Sequence, residues 1–279
     1  MVHIITDSAA DFEPAEYGAL NVTCIPLTVF FGEREYQENV DLSKEHFYSL
    51  LKETCIFPKT AQASPQLLQD LFENAHAKGD EAIYITLSSA LSGTWQNAMM
   101  VKSLLGYDSC YVVDSRNATG GQRMIVELAV KLRDEGKSAA EIVAGIEAIR
   151  ERIVLFACID TLEYLYLGGR ISHTAYKLGS VAQIKPIIHV DRDGGIAVPS
   201  KAVGTRKGME LLCKKVEQFR PDPAFPFYVM YTPHRANGDA LADKLRAMGI
   251  DVPAERIIPV GAAIGSHIGP NGCGFVYVH

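Results

Sequence analysis

Short apolar runs alternate with amphipathic stretches through the first half of the chain. "VHIITDS", from Val2 to Ser8, is a buried-strand pattern that breaks into Asp7-Ser8. "VTCIPLTVFF", from Val22 to Phe31, is a second strand-like run. "DLSKEHFYSLLKE" has helical spacing in Leu42, Phe47, Leu50 and Leu51, with Asp41 or Ser43 as N-cap. "ASPQLLQDLFENAHAKG" supplies Ser64 as N-cap, Pro65 at the first helical position and Gly79 as terminator. "EAIYITLS" and "SCYVVDS" predict strands, and "GTWQNAMMVKSLL", "GGQRMIVELAVKLRDEG" and "SAAEIVAGIEAIRERI" predict helices.

Strands alternating with helices of this length mean βαβ units and a parallel sheet. Ligands of such sheets sit at the carboxyl ends of the strands. Those ends carry Asp7-Ser8, the stretch Ser88 to Ser92, and Asp114-Ser115.

After "VLFACID" the pattern changes. "TLEYLYLGGRIS" and "TAYKLGSVAQ" predict helix, turn, helix, and "KPIIHVDRDGGIAV" predicts two strands about a turn at Asp193-Gly194-Gly195. A helix in "RKGMELLCKKVEQF", a strand in "FYVMYT", a helix in "ADKLRAMG" and a glycine-rich return to strand complete the chain. The expected fold class is α/β with two α/β domains: 1–155 with a mainly parallel sheet, 156–279 with a mixed sheet and helices.

Composition narrows the function. A net charge of −6 over 279 residues offers no basic footprint for nucleic acid. The six cysteines, at 24, 55, 110, 158, 213 and 273, lie in no metal-binding spacing and several sit in apolar runs, so they are expected to be reduced core residues. No stretch approaches a membrane span, and "MVHIITDSAADF" lacks the pattern of a signal peptide, so a cytoplasmic location is expected. The eight histidines are scattered without metal-ligand spacing, and no GxGxxG or P-loop motif follows a strand, so neither metal nor cofactor is expected. Gly120-Gly121 opening a helix is a weak phosphate candidate.

The remaining chemistry lies in four loops. "LSSALSGTWQNA" places Ser92 and Gly93 at a helix N-terminus, where free N–H groups favour an anion. The locally expected role of Ser92 is helix cap. No G-x-S-x-G elbow surrounds it, so a Ser92–His267 hydrolase is the lesser alternative. "PKTAQASP" leaves Thr60 free to face a crevice. "YLGGRISH" puts Arg170 after two glycines that end a helix and turn the chain. "GAAIGSHIGPNGCG" has five glycines in fourteen residues and reads as a loop around His267, whose ordinary pKa near 6.5 suits it to sensing pH or adding charge. "KAVGTRKGMELLCKK" gathers Lys201, Arg206, Lys207, Lys214 and Lys215 on an otherwise acidic chain.

Taken in order, these stretches resemble the DegV family of fatty-acid-binding proteins along essentially the whole chain. "IITDSAAD" resembles the family's strand-plus-Asp-Ser opening, and "KTAQASP" its Thr-Ser-Gln-Pro-Ser stretch. "LSSALSGTWQNA" resembles its Leu-Ser-x-x-Leu-Ser-Gly-Thr-Tyr-Gln-x-Ala signature, and "IGSHIGPNGCG" its His-x-Gly-Pro-Gly loop. "TLEYLYLGGRIS" and "KPIIHVDRDG" resemble its central motifs. Ala61 and Ala63, Trp95 and Asn271 depart from those patterns, and Trp95 is a bulkier group beside the expected anchor.

The resemblance implies a long-chain fatty acid with its tail buried and its carboxylate held by Thr60 and Ser92, with Gly93, Arg170 and His267 nearby. It implies a carrier, not a catalyst, that presents the lipid to a separate fatty acid kinase for acyl-phosphate formation and phospholipid synthesis. Arg206 and Lys207 are the expected docking residues for that kinase. The runner-up is an enzyme, of hydrolase or sugar-phosphate type, acting on a small anion in the same crevice. Met99, Met100 and Phe30 are candidates for the tail's lining.

Overall fold

The computed structural model describes residues 1–177 and 183–279. β1 (Val2–Asp7), α1 (Pro14–Ala19) and β2 (Val22–Ile25) open the chain. β3 (Thr28–Phe31), β4 (Arg34–Gln37), α2 (Lys44–Thr54), β5 (Lys59–Ala61) and α3 (Pro65–Ala77) follow. β6 (Glu81–Thr86), α4 (Thr94–Leu105), β7 (Cys110–Asp114), α5 (Gly120–Asp134) and α6 (Ala139–Arg150) complete the first half. The second half runs β8 (Ile153–Cys158), α7 (Glu163–Leu167), α8 (His173–Lys177), β9 (Ile184–Val190), β10 (Ile196–Val203), α9 (Thr205–Gln218) and β11 (Tyr228–Tyr231). It ends with α10 (Arg235–Ala247), β12 (Ile257–Pro259), α11 (Ala262–Ile268) and β13 (Cys273–Val278). The part of "TAYKLGSVAQ" from 178 to 182 lies outside the described residues.

The α/β class is as expected. A parallel sheet has the order β2-β1-β6-β7, and a mixed six-stranded sheet the order β10-β9-β8-β13-β11-β12. A small antiparallel sheet, β4-β3-β5, is additional. It arises because "VTCIPLTVFF" is two strands rather than one. Pro26 has no N–H to donate to a ladder, so the run breaks there. Val22–Ile25 joins the parallel sheet and Thr28–Phe31 the small one. Sheet membership changes between β7 and β8, so a boundary at residue 155 would cut through β8.

One apolar cluster joins the two large sheets. Ile4, Ile83 and Val113 of the parallel sheet share it with Leu155, Met230 and Val276 of the mixed sheet. α5 packs against strands of both, and its first residues carry no side chain for a reason of space. A Cβ on Gly120 would fall 2.7 Å from Val276 Cγ1, and one on Gly121 2.0 Å from Asn117 Oδ1. These glycines are buried packing positions, not the phosphate cradle the sequence offered.

Candidate functional site

Three of the sequence stretches, around Thr60, Ser92 and His267, meet at the carboxyl end of β6, although Thr60 lies in β5 rather than in a loop. Antiparallel pairing of β5 with β3 sets Thr60 opposite Val29. From there Thr60 Oγ1 lies 2.8 Å from His267 Nε2. The following residues are clamped to the start of α4: Ala63 N–H donates to Thr94 Oγ1 at 3.4 Å, and Asn97 Nδ2 donates to the Ala63 carbonyl at 3.0 Å. Ser92 Oγ lies 2.9 Å from Thr94 Oγ1 and accepts the Thr94 N–H at 3.3 Å. The helix cap itself is Gly93, one residue later than expected.

Arg170 arrives from the other half of the chain. Gly169, with φ +75°, turns the backbone after α7. The guanidinium then reaches back, its Nε donating to the Leu91 carbonyl at 2.9 Å and its Nη1 to the Gly168 carbonyl. Among the described residues it has no ion pair. A half-buried cation without a carboxylate is a standing attraction for an anion.

These groups border one cavity. Thr60, Gln62, Ser92, Arg170 and His267 contribute its polar lining, with Thr119 and Thr232. Most of the rest is apolar, including Leu87 from the first half and Leu155, Ile188, Val190, Ile196 and Met230 from the second. Met99, Met100 and Phe30 are not among the lining residues. Met99 and Trp95 belong to a separate surface groove with Lys102 and Tyr111, so Trp95 does not narrow this cavity. Asn271 adopts φ +64°, a conformation asparagine tolerates.

His267 differs from its expectation in two ways. It lies in the last turn of a helix, α11, not in a loop. Burial pushes its pKa down to about 3, with the neighbouring Arg170 charge adding to the effect. Its Nδ1 has no hydrogen-bond partner among the described residues and is pressed against Gly168, where a Cβ would fall 2.1 Å away. The imidazole is therefore neutral at physiological pH and supplies neither a positive charge nor a switch. Burial also lowers the Arg170 pKa, but from so high a value that the group stays charged.

Gly93 is exposed and is not a lining residue. A Cβ there would fall 2.3 Å from Gln62 Oε1, so its contribution is room for that amide. Gln62 sits inside "KTAQASP" between Thr60 and Ser64, and nothing in that stretch distinguishes it as a site residue. The hydrolase arrangement does not assemble: Ser92 bonds Thr94, and His267 bonds Thr60 with no carboxylate behind it among the described residues. Arg206 and Lys207 stand in the exposed first turn of α9, where Arg206 pairs with Glu210 at 3.4 Å. No helix among the described residues is long and apolar enough to cross a membrane.

The DegV family model matches residues 1–279. The chain belongs to the DegV family. A DegV domain-containing protein of Caldanaerobacter subterraneus is 31% identical, over 99% of this chain and 98% of its own. A DegV family protein from Thermus thermophilus, described as binding fatty acid, superposes with TM-score 0.88 at 27% identity, covering 100% of this chain and 99% of that one. DegV of Bacillus subtilis, described as a fatty acid binding protein, gives TM-score 0.83 at 26% identity, over 99% and 98%. Among the DegV motifs, the Thr-containing and Leu-Ser-Gly-Thr stretches, the two central motifs and the His-containing loop all contribute residues to the cavity's border.

Proposed function

We propose that this DegV protein binds a long-chain fatty acid, with its tail in the apolar cavity and its carboxylate against Thr60, Ser92 and Arg170. One observation carries the reading: a guanidinium without an acidic partner among the described residues and two side-chain hydroxyls border a cavity whose lining is mostly apolar. A desolvated carboxylate needs donors in that number. His267 prepares one of them. If its neutral ring carries the proton on Nε2 and donates it to Thr60 Oγ1, the Thr60 hydroxyl keeps its own proton for the ligand. The orphaned Nδ1 is the unprotonated nitrogen in that tautomer. The relatives described as binding fatty acid support the same reading.

The tail supplies the affinity. At roughly 0.8 kcal/mol per methylene, about fourteen methylenes contribute on the order of 11 kcal/mol before entropy losses. The head group supplies selection. Delipidated protein titrated with a fatty acid and with the fatty alcohol of the same length separates the two. The acid is expected to bind at least tenfold more tightly; equal affinities would remove the carboxylate site from the reading.

The role is that of a carrier in the cytoplasm, presenting its lipid to a separate kinase rather than transforming it. Arg206 and Lys207 on α9 are the proposed contact with an acidic kinase surface. Arg206→Glu is expected to abolish phosphorylation of the bound lipid and leave lipid binding intact. Transfer at the normal rate would refute the docking role.

A further inference from the structure

α11 carries the site's imidazole at one end, and two carboxylates from the first half of the chain hold the other. Asp11 Oδ1 accepts the Gly261 N–H at 2.9 Å, and Glu38 Oε1 accepts the Ala263 N–H at 3.1 Å. Both acids are 1% exposed. They crowd a single point: a Cβ on Gly261 would lie 2.4 Å from Glu38 Oε1 and 2.7 Å from Asp11 Oδ1. The other Glu38 oxygen accepts the Ser8 hydroxyl at 2.6 Å, and Ser8 Oγ accepts the Leu27 N–H at 3.0 Å. Leu27, Val260 and Ala263 are themselves cavity-lining residues. The carboxylates are thus one bond removed from the wall of the lipid site.

The surrounding charge does not balance two anions. Lys44 is the nearest cation, but its Nζ donates to the Asp11 carbonyl at 2.8 Å and to Glu13 at 2.7 Å. Arg123 acts on Asp11 from α5, while its own bonds go to Glu16 and Glu127. Asp7 adds a third buried acid, held by the Leu87 and Ala9 amides and by Gln122. Tyr17, Tyr48 and Cys24 complete the neighbourhood, and burial keeps all three protonated. Asp11 Oδ2, beside the Thr119 hydroxyl, makes no hydrogen bond among the described residues. Two carboxylates so placed do not ionise independently.

We propose that Asp11 and Glu38 are positioning residues for the lipid site: they grip α11 by two amides while at least one of the crowded pair stays protonated, and ionisation of both displaces α11 and weakens the His267–Thr60 contact. Burial raises both pKa values, Asp11 to about 6 and Glu38, with the Asp11 charge adding to the effect, to about 7, which puts the event near neutrality. Lipid retention then falls on the alkaline side. That consequence rests on the fatty-acid reading; the movement of α11 does not.

The test therefore uses delipidated protein and reads the His267 ring nitrogens by NMR across pH 5.5–9. His267 does not itself titrate there, so it reports its neighbours. The wild type is expected to show an inflection near neutrality that Glu38→Gln, which mimics the protonated acid, abolishes. A flat wild-type curve, or an inflection unchanged in both Glu38→Gln and Asp11→Asn, would overturn the proposal. Because the amides are isosteric, a variant with a wild-type thermal melt but no inflection separates positioning from loss of the fold. A wild-type inflection in a protein that binds no fatty acid would sink the ligand and leave the positioning intact.

Discussion

Replacing His267 by Asn should change how stability depends on pH, in a direction opposite to that of the buried acids. In the unfolded chain His267 takes a proton below about pH 6.5. In the folded chain its pKa is about 3, because the ring is buried and Arg170 is near. The folded state thus binds fewer protons between these values, and the histidine's contribution is complete above pH 6.5 and lost as pH falls toward 3. At pH 5 the loss works out at about 2 kcal/mol, against almost nothing at pH 7.5. Asp7, Asp11 and Glu38 act the other way: their pKa values are raised to about 6, 6 and 7, so they favour folding below about pH 4 and cease to do so as pH rises through 7. A simple pH scan mixes the two effects. Urea unfolding of delipidated wild type and His267→Asn, at pH 5.0 and 7.5, isolates the histidine. The stability gap between the two proteins should move by about 2 kcal/mol against the wild type on acidification. The same gap at both pH values would mean that His267 titrates normally, and the neutral-donor role assigned to it would fall.

Ser92→Ala and Thr60→Val should each weaken fatty-acid binding by about 1–2 kcal/mol, roughly 5–30-fold in Kd, as the loss of one bond to a charged ligand requires; titration of delipidated protein checks this, and an unchanged Kd in both would contradict the head-group assignment. Gly168→Ala puts a methyl where the His267 Nδ1 edge lies, 2.1 Å from the new carbon, so the ring must leave Thr60. Lipid retention should fall at least tenfold with little change in melting temperature; full retention would show that the ring position is immaterial. Gly120→Ala forces Val276 and Met230 aside and should destabilise by about 1–3 kcal/mol in denaturant unfolding, with no loss there counting against the close packing of α5 on β13.

Much of this arrangement was legible because local chemistry decided it. Ser43 and Ser64 cap α2 and α3 as their spacing predicts, and Pro65 follows at the first helical position. The polar strand end at Ser88–Ser92 marks the crevice, and Gly168-Gly169 turns Arg170 into it. What sequence misjudged is governed by contacts distant along the chain. The glycines around His267 suggest a loop, yet Gly265 lies inside a helix, leaving space for Phe47 and Tyr48: a Cβ there would fall 2.8 Å from the Phe47 ring and 2.8 Å from the Tyr48 hydroxyl. The histidine's lost basicity follows from its burial and from the Arg170 charge, contacts distant along the chain that no spacing encodes. Asp11 and Glu38 look like surface acids until α11 folds over them. Cavity-lining residues and plain core share the same apolar character, so Met99 and Met100 were as eligible as Leu155 and Ile188; only topology separates them.

The most direct measurement is mass spectrometry of a solvent extract from freshly purified protein never exposed to added lipid. The account predicts a long-chain fatty acid at close to one per chain, lost when Ser92, Thr60 and Arg170 are replaced together. A folded wild-type protein whose extract holds no fatty acid, and which takes up none when it is supplied, would contradict it.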